Sequence, residues 1–269
     1  MKNKISFARM GYLLKQQTFV LRSSLSHLLL GTFIFFLCYF VFLSLRFWIN
    51  KSAIDVRTSD GWGYIALFIY GLTIALAYSM TFTGLETRVK RIGFLMTPCN
   101  PIEKYLSRVI IATVTGFVGI LLTYFLADGV RMLLDWVIVG KQVHSTIPGF
   151  FNALGDFAEG LTDTKDFPAT ISAIALWVYS LTFFILCSSV FRTKAFIKGI
   201  GLYNLFVIIG LIIVGTILFL VVGNYDDGDV GDREDFFNAT LVAVNVILWL
   251  FSALNVWWSY RNFKQSTIL

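Results

Sequence analysis

Six long stretches without Asp, Glu, Lys or Arg constrain this chain more than any other feature. They cover residues 23–45, 61–85, 109–127, 167–191, 199–225 and 236–260. Crossing the hydrocarbon core of a bilayer takes roughly 20 residues of helix, and each stretch is about that long or longer. Lipid offers backbone groups no hydrogen bonds, and apolar and polar residues do not alternate here as they do in a barrel. We therefore predict an all-α integral membrane protein with six transmembrane helices over these ranges. Only 14% of the 269 residues are charged, against about 25% in soluble proteins.

The placement of charge predicts the orientation of these helices. If six spans alternate from an inner N-terminus, 15 of the 22 basic residues and only two of the 16 acidic ones, Glu86 and Glu103, lie on the inner side. Because basic residues are retained on the cytoplasmic side, we expect both termini inside.

Residues 1–22 are predicted to form an amphipathic helix at the inner membrane surface, ahead of a six-helix domain at 23–269. Four apolar residues lie near one helical face, and three basic residues lie elsewhere: Phe7, Met10, Leu14 and Leu21, and Arg9, Lys15 and Arg22. The alternative is a basic flank without regular structure.

The outer side has two notable segments. In 128–166, Phe150, Leu154, Phe157 and Leu161 recur at helical spacing and predict a short amphipathic helix packed on the bundle. The acidic loop at 226–235 fails the EF-hand spacing, because glycine falls where ligands are needed. We predict a solvated loop and no metal site.

Motifs for chemistry are missing from the sequence. No span holds an acid or a base, and all four prolines lie outside the spans or at their edges, which predicts uninterrupted helices and argues against an ion-coupled carrier. His27 and His144 fall in separate regions, and no nucleotide-binding or hydrolase motif occurs. Cys38, Cys99 and Cys187 are expected to be free thiols. The chain is not predicted to be an enzyme.

The stretch MTPCNPIEKYLSRV, from Met96 to Val109, carries the clearest local signal. Asn100 suits an N-cap, Pro101 suits the first helical position, and Glu103 can complete a capping box. A helix is therefore predicted to begin at Pro101 and to continue into the third span.

A second short amphipathic helix is predicted just upstream, at 85–95. Its apolar residues recur at intervals of four, three and three, with basic residues on other faces: Leu85, Val89, Ile92 and Leu95, and Arg88, Lys90 and Arg91. Thr97 and Pro98 end it. The connection between spans two and three would then be a rigid helix–break–helix. The alternative is a basic turn that only sets topology.

The segment TFTGLETRVKRIGFLMTPCNPIEKYLSR resembles the signature of bacterial ABC transporter permeases of the ABC-2 type, in which a short helix precedes a pattern close to L-P-A-S-x-x-E-K-[FY]-L-S-R. The matching positions are Pro98, Glu103, Lys104, Tyr105, Leu106, Ser107 and Arg108. The sequence departs from the pattern at Thr97, Cys99 and Asn100, although Asn100 keeps the capping chemistry. FARMGYLLKQQ resembles the interfacial helix of the group. The long external segment at 128–166 departs from the commonest exporter layout, in which the larger external insert lies near the last two spans.

The resemblance implies a multi-pass permease subunit of the bacterial inner membrane, working as a homodimer or with a related permease. It implies a cytoplasmic ABC ATPase as partner, which would hold the ATP and Mg²⁺, with no cofactor in this chain. The residues implied to couple the two are Leu85, Arg88, Val89, Arg91, Ile92, Leu95, Asn100 and Glu103. The cargo would be lipophilic or amphipathic, with no substrate-binding residue assigned, and no nucleic acid is expected. The alternative is a membrane sensor or assembly module that needs no ATPase.

Overall fold

Within the residues that the computed structural model describes, every regular element is helical. Those residues are 6–49, 60–82, 92, 94, 96–97, 99–139, 145–162, 167–191, 194–222 and 230–266. The helices are α1 (Phe7–Ile49), α2 (Asp60–Ser79), α3 (Pro101–Val114), a π turn (Thr115–Gly119), α4 (Ile120–Val139), α5 (Ile147–Glu159), α6 (Phe167–Val190), α7 (Ala195–Val222) and α8 (Val230–Ser266).

Four stretches of helix are long and apolar enough to cross a membrane: Phe7–Phe42, Pro101–Ile138, Phe167–Val190 and Ala239–Gln265. Gly63–Ser79 and Ala195–Gly210 are shorter apolar helices among the described residues. Only 17% to 39% of the residues in the most apolar windows of the four long stretches are buried inside the protein. Such extensive outward-facing apolar surface is stable in lipid and not in water. The described part of the chain is therefore that of an all-helical membrane protein.

Contacts between helix ends define two ends of the bundle. At the first, which we call the Glu103 end, Ser6 before α1 contacts Glu103 of α3, and Phe82 after α2 contacts Ser188 of α6 and Phe263 of α8. At the second, the Asp128 end, Ser44 of α1 and the residues before α5 contact the acidic residues of α4. The first and last helices thus bring both ends of the described chain to the Glu103 end.

Helix α1 runs parallel to α3 and α4 along their whole length. Ser6 contacts Glu103, Thr32 contacts Thr123, and Ser44 contacts Asp135, so sequence position increases in the same direction on both sides. Buried Phe36 and Phe40 of α1 pack edge-on or tilted against the ring of Tyr124, with centroids 5.4 Å apart in both pairs.

The π turn at Thr115–Gly119 differs from the expectation of uninterrupted helices. It contains no proline, and its two glycines let neighbouring helices approach closely. A Cβ at Gly119 would lie 3.0 Å from the Leu29 side chain of α1, and one at Gly116 would lie 3.4 Å from Ile74 of α2. Tyr70 of α2 donates its hydroxyl to the Phe117 carbonyl (2.7 Å), which gives a backbone group in the irregular turn a partner.

Helix α1 continues without a break from Phe7 through residue 22 to Ile49. Its buried line at this end is Leu13, Gln17 and Leu21, whereas Phe7 of the expected apolar face is exposed. This line continues the one that packs against α3 and α4 further along, so tertiary packing rather than the membrane surface determines which face is buried.

The outer segment predicted at 128–166 contains more helix and less loop than expected. Helix α4 continues to Val139, and α5 occupies Ile147–Glu159. The short helix was predicted, but only part of its apolar stripe packs on the bundle. Phe150 is buried, whereas Leu154, Phe157 and Leu161 are exposed. The buried face is instead Phe150 and Ala153, because Gly63 of α2 lies directly against the backbone of Gly149.

Candidate functional site: the capped start of α3

Helix α3 begins at Pro101 with the predicted capping box. The Asn100 side chain accepts a hydrogen bond from the Ile102 backbone N–H (3.4 Å). In return, Glu103 Oε2 accepts from the Asn100 backbone N–H (3.2 Å). Two N–H groups of the first turn are therefore satisfied by side chains only two or three residues away.

The second carboxylate oxygen of Glu103 reaches a different helix. Glu103 Oε1 accepts from the backbone N–H of Ser6, immediately before α1, at 3.0 Å. The Glu103 side chain is completely buried. One carboxylate thus caps α3 and holds the start of α1, and burial excludes water as a competing partner.

Arg108, one turn further along α3, holds the end of α2. Arg108 is only 3% exposed, and its Nη1 donates to the Thr81 carbonyl oxygen at 3.3 Å. The same guanidinium lies 4.9 Å from the ring centroid of Phe94, and the Lys104 ammonium lies 5.4 Å from it. Phe94 therefore packs its ring face against two buried cations of α3, at a distance typical of cation–π attraction.

An aromatic cluster completes the Glu103 end. Tyr105 of α3 stacks on Phe82 (centroids 5.7 Å apart) and contacts Phe263 and Tyr260 of α8 (5.8 and 5.6 Å). Phe94 also packs against Phe263 (6.1 Å). The first two turns of α3 are therefore fixed to α1, to the end of α2, to the segment before Pro98, and to α8.

The structure places three of the eight sequence-predicted coupling residues. Asn100 and Glu103 form the cap described above, and Ile92 lies in helical backbone with an exposed side chain. The Met96 N–H donates to the Ile92 carbonyl (2.9 Å), which agrees with a helical segment that ends near Thr97. Leu85, Arg88, Val89, Arg91 and Leu95 lie outside the described residues.

A second buried polar cluster, which the sequence reasoning missed, lies at the Asp128 end. Asp128, Arg131 and Asp135 of α4 are 0%, 3% and 1% exposed. Arg131 donates to Asp128 from Nε (3.1 Å) and lies 3.8 Å from Asp135 through Nη1, while Ser44 of α1 donates to Asp135 (3.1 Å).

Asp128 also fixes the start of α5. It accepts hydrogen bonds from the hydroxyl of Ser145 (2.5 Å) and from the hydroxyl and backbone N–H of Thr146 (2.9 and 3.2 Å). The hydroxyl of Tyr124 lies 3.2 Å from that of Thr146. The carboxylate holds α5 onto α4 in the way a capping residue would, but from another helix.

The sequence carries a signal for this cluster, although residues 128–166 are predicted to form an outer segment. Asp128, Arg131 and Asp135 are spaced by three and four, the spacing that puts charged side chains on one face of a helix. Two carboxylates are too few to suggest a metal site, and no group of three potential ligands occurs in the part of the chain that the structure describes.

These features define the class: a helical membrane protein with a side-chain-capped junction at one end of its bundle and a buried ion cluster at the other. No protein-family model, curated protein or solved structure matches the chain.

Proposed function

We propose that this chain is the membrane-embedded subunit of an ATP-driven transporter, powered by a separate ATPase that docks on residues 85–95. One observation carries the proposal: the start of α3, directly after that segment, is capped by Asn100 and Glu103 and fixed to three other helices.

Mechanical coupling requires a junction that transmits displacement instead of absorbing it. A flexible loop between residues 95 and 109 would let an ATPase move without moving the bundle. Here, displacement of the segment before Pro98 acts on Phe94, which packs against Lys104 and Arg108 of α3 and against Phe263 of α8. Since Arg108 also holds the end of α2, a push at this point would move several helices together.

The charge of the docking segment suits a protein partner on the cytoplasmic side. Arg88, Lys90 and Arg91 lie close together in the sequence, and Arg88 and Arg91 are among the residues that we assign to ATPase contact. In this proposal the Glu103 end faces the cytoplasm of a bacterial cell, six helices span the inner membrane, and both termini are cytoplasmic. Two copies, or one copy and a related permease, would surround the transport pathway.

The cargo class follows from the composition of the spans. The chain contains 27 Phe residues and no charge within the six apolar stretches. Aromatic, uncharged spans of this kind suit a lipophilic or amphipathic molecule that moves outward or between leaflets.

The proposal is tested by purifying the tagged, full-length chain from its native membrane in mild detergent and measuring ATP hydrolysis in the eluate. We expect an ATPase to co-elute with the parent protein and with a Lys194→Glu/Lys198→Glu control. It should be lost from an Arg88→Glu/Arg91→Glu variant that elutes as a folded protein of unchanged size. Absence of ATP hydrolysis from every eluate, or full retention in the Arg88→Glu/Arg91→Glu variant, would contradict the proposal and favour a membrane module that needs no ATPase.

A further inference from the structure

Helix α8 reverses the pattern of a soluble helix, because its buried positions are polar and its outward-facing positions are apolar. Within residues 239–260, the stretch of α8 before Phe263 whose side chains are described, the buried positions are all polar. They are Asn245, Ser252, Asn255 and Ser259, which we call the polar seam. The outward-facing positions are mostly large and apolar, for example Val246, Leu250 and Leu254. The intervals of seven, three and four put the seam on one face of the helix.

The seam faces α6 at a depth inside the membrane-crossing part. Helix α8 packs mainly along α6, and Ser259 donates to the Ile185 carbonyl oxygen (3.5 Å). The offset of 74 residues in that pair puts Asn245 level with Ile171 and Asn255 level with Leu181. Both levels lie within α6, Ile171 about one turn after its start at Phe167 and Leu181 past its middle.

Two amide atoms in the seam have no hydrogen-bond partner in the protein. Asn245 is 7% exposed and its Oδ1 accepts no bond, while Asn255 is 9% exposed and its Nδ2 donates none. An unsatisfied amide is costly in an apolar interior, and lipid cannot satisfy it. The two asparagines are ten residues apart, about 15 Å along α8, so each needs its own partner: a donor for Asn245 Oδ1 and an acceptor for Asn255 Nδ2.

We infer that the α6–α8 interface is a binding site for uncharged hydrogen-bonding groups. The site holds water when no ligand is bound, and it holds the hydroxyl-bearing headgroup of an amphipathic molecule when a ligand is bound. The seam offers amides and hydroxyls and no charge, so it satisfies neutral donors and acceptors and leaves an ion without a counter-charge. The assignment of this site to the cargo of the transporter rests on the proposed function.

The test uses cysteine reactivity, because a thiol reacts as the thiolate, which forms in water and not in lipid. Single cysteines are placed in a background in which Cys38, Cys99 and Cys187 are replaced, and the protein is reconstituted in phospholipid vesicles. Ser252→Cys is the main variant, since it changes one atom, with Asn245→Cys and Asn255→Cys beside it. Leu250→Cys and Leu254→Cys are the lipid-facing controls. With a small charged methanethiosulfonate, we expect seam positions to react at least about ten times faster than the controls. Equal, slow reaction at Ser252→Cys and Leu250→Cys would overturn the inference.

A second arm distinguishes the two sources of hydrogen bonds. Octyl glucoside has an uncharged headgroup with several hydroxyls, and octyltrimethylammonium has the same chain with a cationic headgroup. If the glucoside slows the labelling of Ser252→Cys and octyltrimethylammonium does not, the result supports occupation by a neutral headgroup. No protection by the glucoside, or equal protection by both, overturns the headgroup assignment and leaves water as the occupant. Neither arm needs an ATPase, so failure here would leave the ATPase coupling proposal standing.

Discussion

Two fully buried carboxylates, Glu103 and Asp128, play similar roles at the two ends of the bundle. Both belong to the continuous helical rod formed by α3, the π turn and α4. They are 25 residues apart, which is about 37 Å along a helix. Each accepts bonds from a neighbouring part of the rod and from a different segment: Glu103 from Ser6, and Asp128 from Ser145 and Thr146. Burial makes each bond stronger and also makes the loss of a partner costly.

The cap at Asn100 predicts a local effect at the residue scale. Asn100→Ala removes the acceptor for the Ile102 N–H and should cost about 1 kcal/mol of local helix stability, whereas Asn100→Asp keeps an acceptor. Hydrogen exchange at the amides of the first turn should become about fivefold faster in the alanine variant and stay near the parent rate in the aspartate variant. Equal exchange in both variants would mean that the box does not stabilise the turn.

The buried guanidinium of Arg131 predicts a larger effect. Arg131→Met leaves Asp128 and Asp135 buried without that cation and should destabilise the protein by about 3–5 kcal/mol. Replacing all three charges together, with Asp128→Asn, Arg131→Met and Asp135→Asn, should cost less than the single change. Thermal unfolding in detergent measures both variants, and a triple variant less stable than Arg131→Met would refute this reading of the cluster.

At the scale of elements, the contact between α2 and α5 depends on one glycine. A Cβ on Gly63 would overlap the carbonyl oxygen of Gly149, whereas a Cβ on Gly149 meets nothing within 4 Å. We expect Gly63→Ala to displace α5 and lower the unfolding temperature. Gly149→Ala should be neutral or slightly stabilising, by up to about 1 kcal/mol, because alanine favours a helix. The same loss of stability in both variants would show that the close approach is not responsible.

The elements that sequence reasoning found are those determined locally. The start of α3 was predictable because Asn100, Pro101 and Glu103 lie within four residues of one another, and α5 was predictable from a helical stripe. The π turn was not, since its hydroxyl partner Tyr70 is 47 residues from Phe117. The contacts of Asp128 with the residues before α5 were not predictable either, because these partners are 17 and 18 residues away. The polar seam on α8 was not predicted, because most of the residues around it are apolar.

At the scale of the whole molecule, the two ends of the bundle should lie on opposite sides of the membrane. Glu159 is exposed at the end of α5, which belongs to the Asp128 end, and Lys198 is exposed near the start of α7. In intact cells, Glu159→Cys should react with an impermeant thiol reagent and Lys198→Cys should react only after lysis. The opposite pattern would invert the orientation and remove residues 85–95 from the cytoplasm.

The most direct measurement of the central claim is ATP hydrolysis by the complex of this chain and the proposed ATPase in vesicles of native lipid. The Asn100→Ala/Glu103→Ala variant removes the capping box and the bond to Ser6, yet leaves residues 85–95 intact. We expect it to retain its ATPase in full amount while the stimulation of hydrolysis by the membrane subunit falls several-fold. Asn100→Asp should retain both. A double variant that binds and stimulates the ATPase as well as the parent protein does would contradict the account, and the segment around Asn100 would then be a basic turn that sets topology.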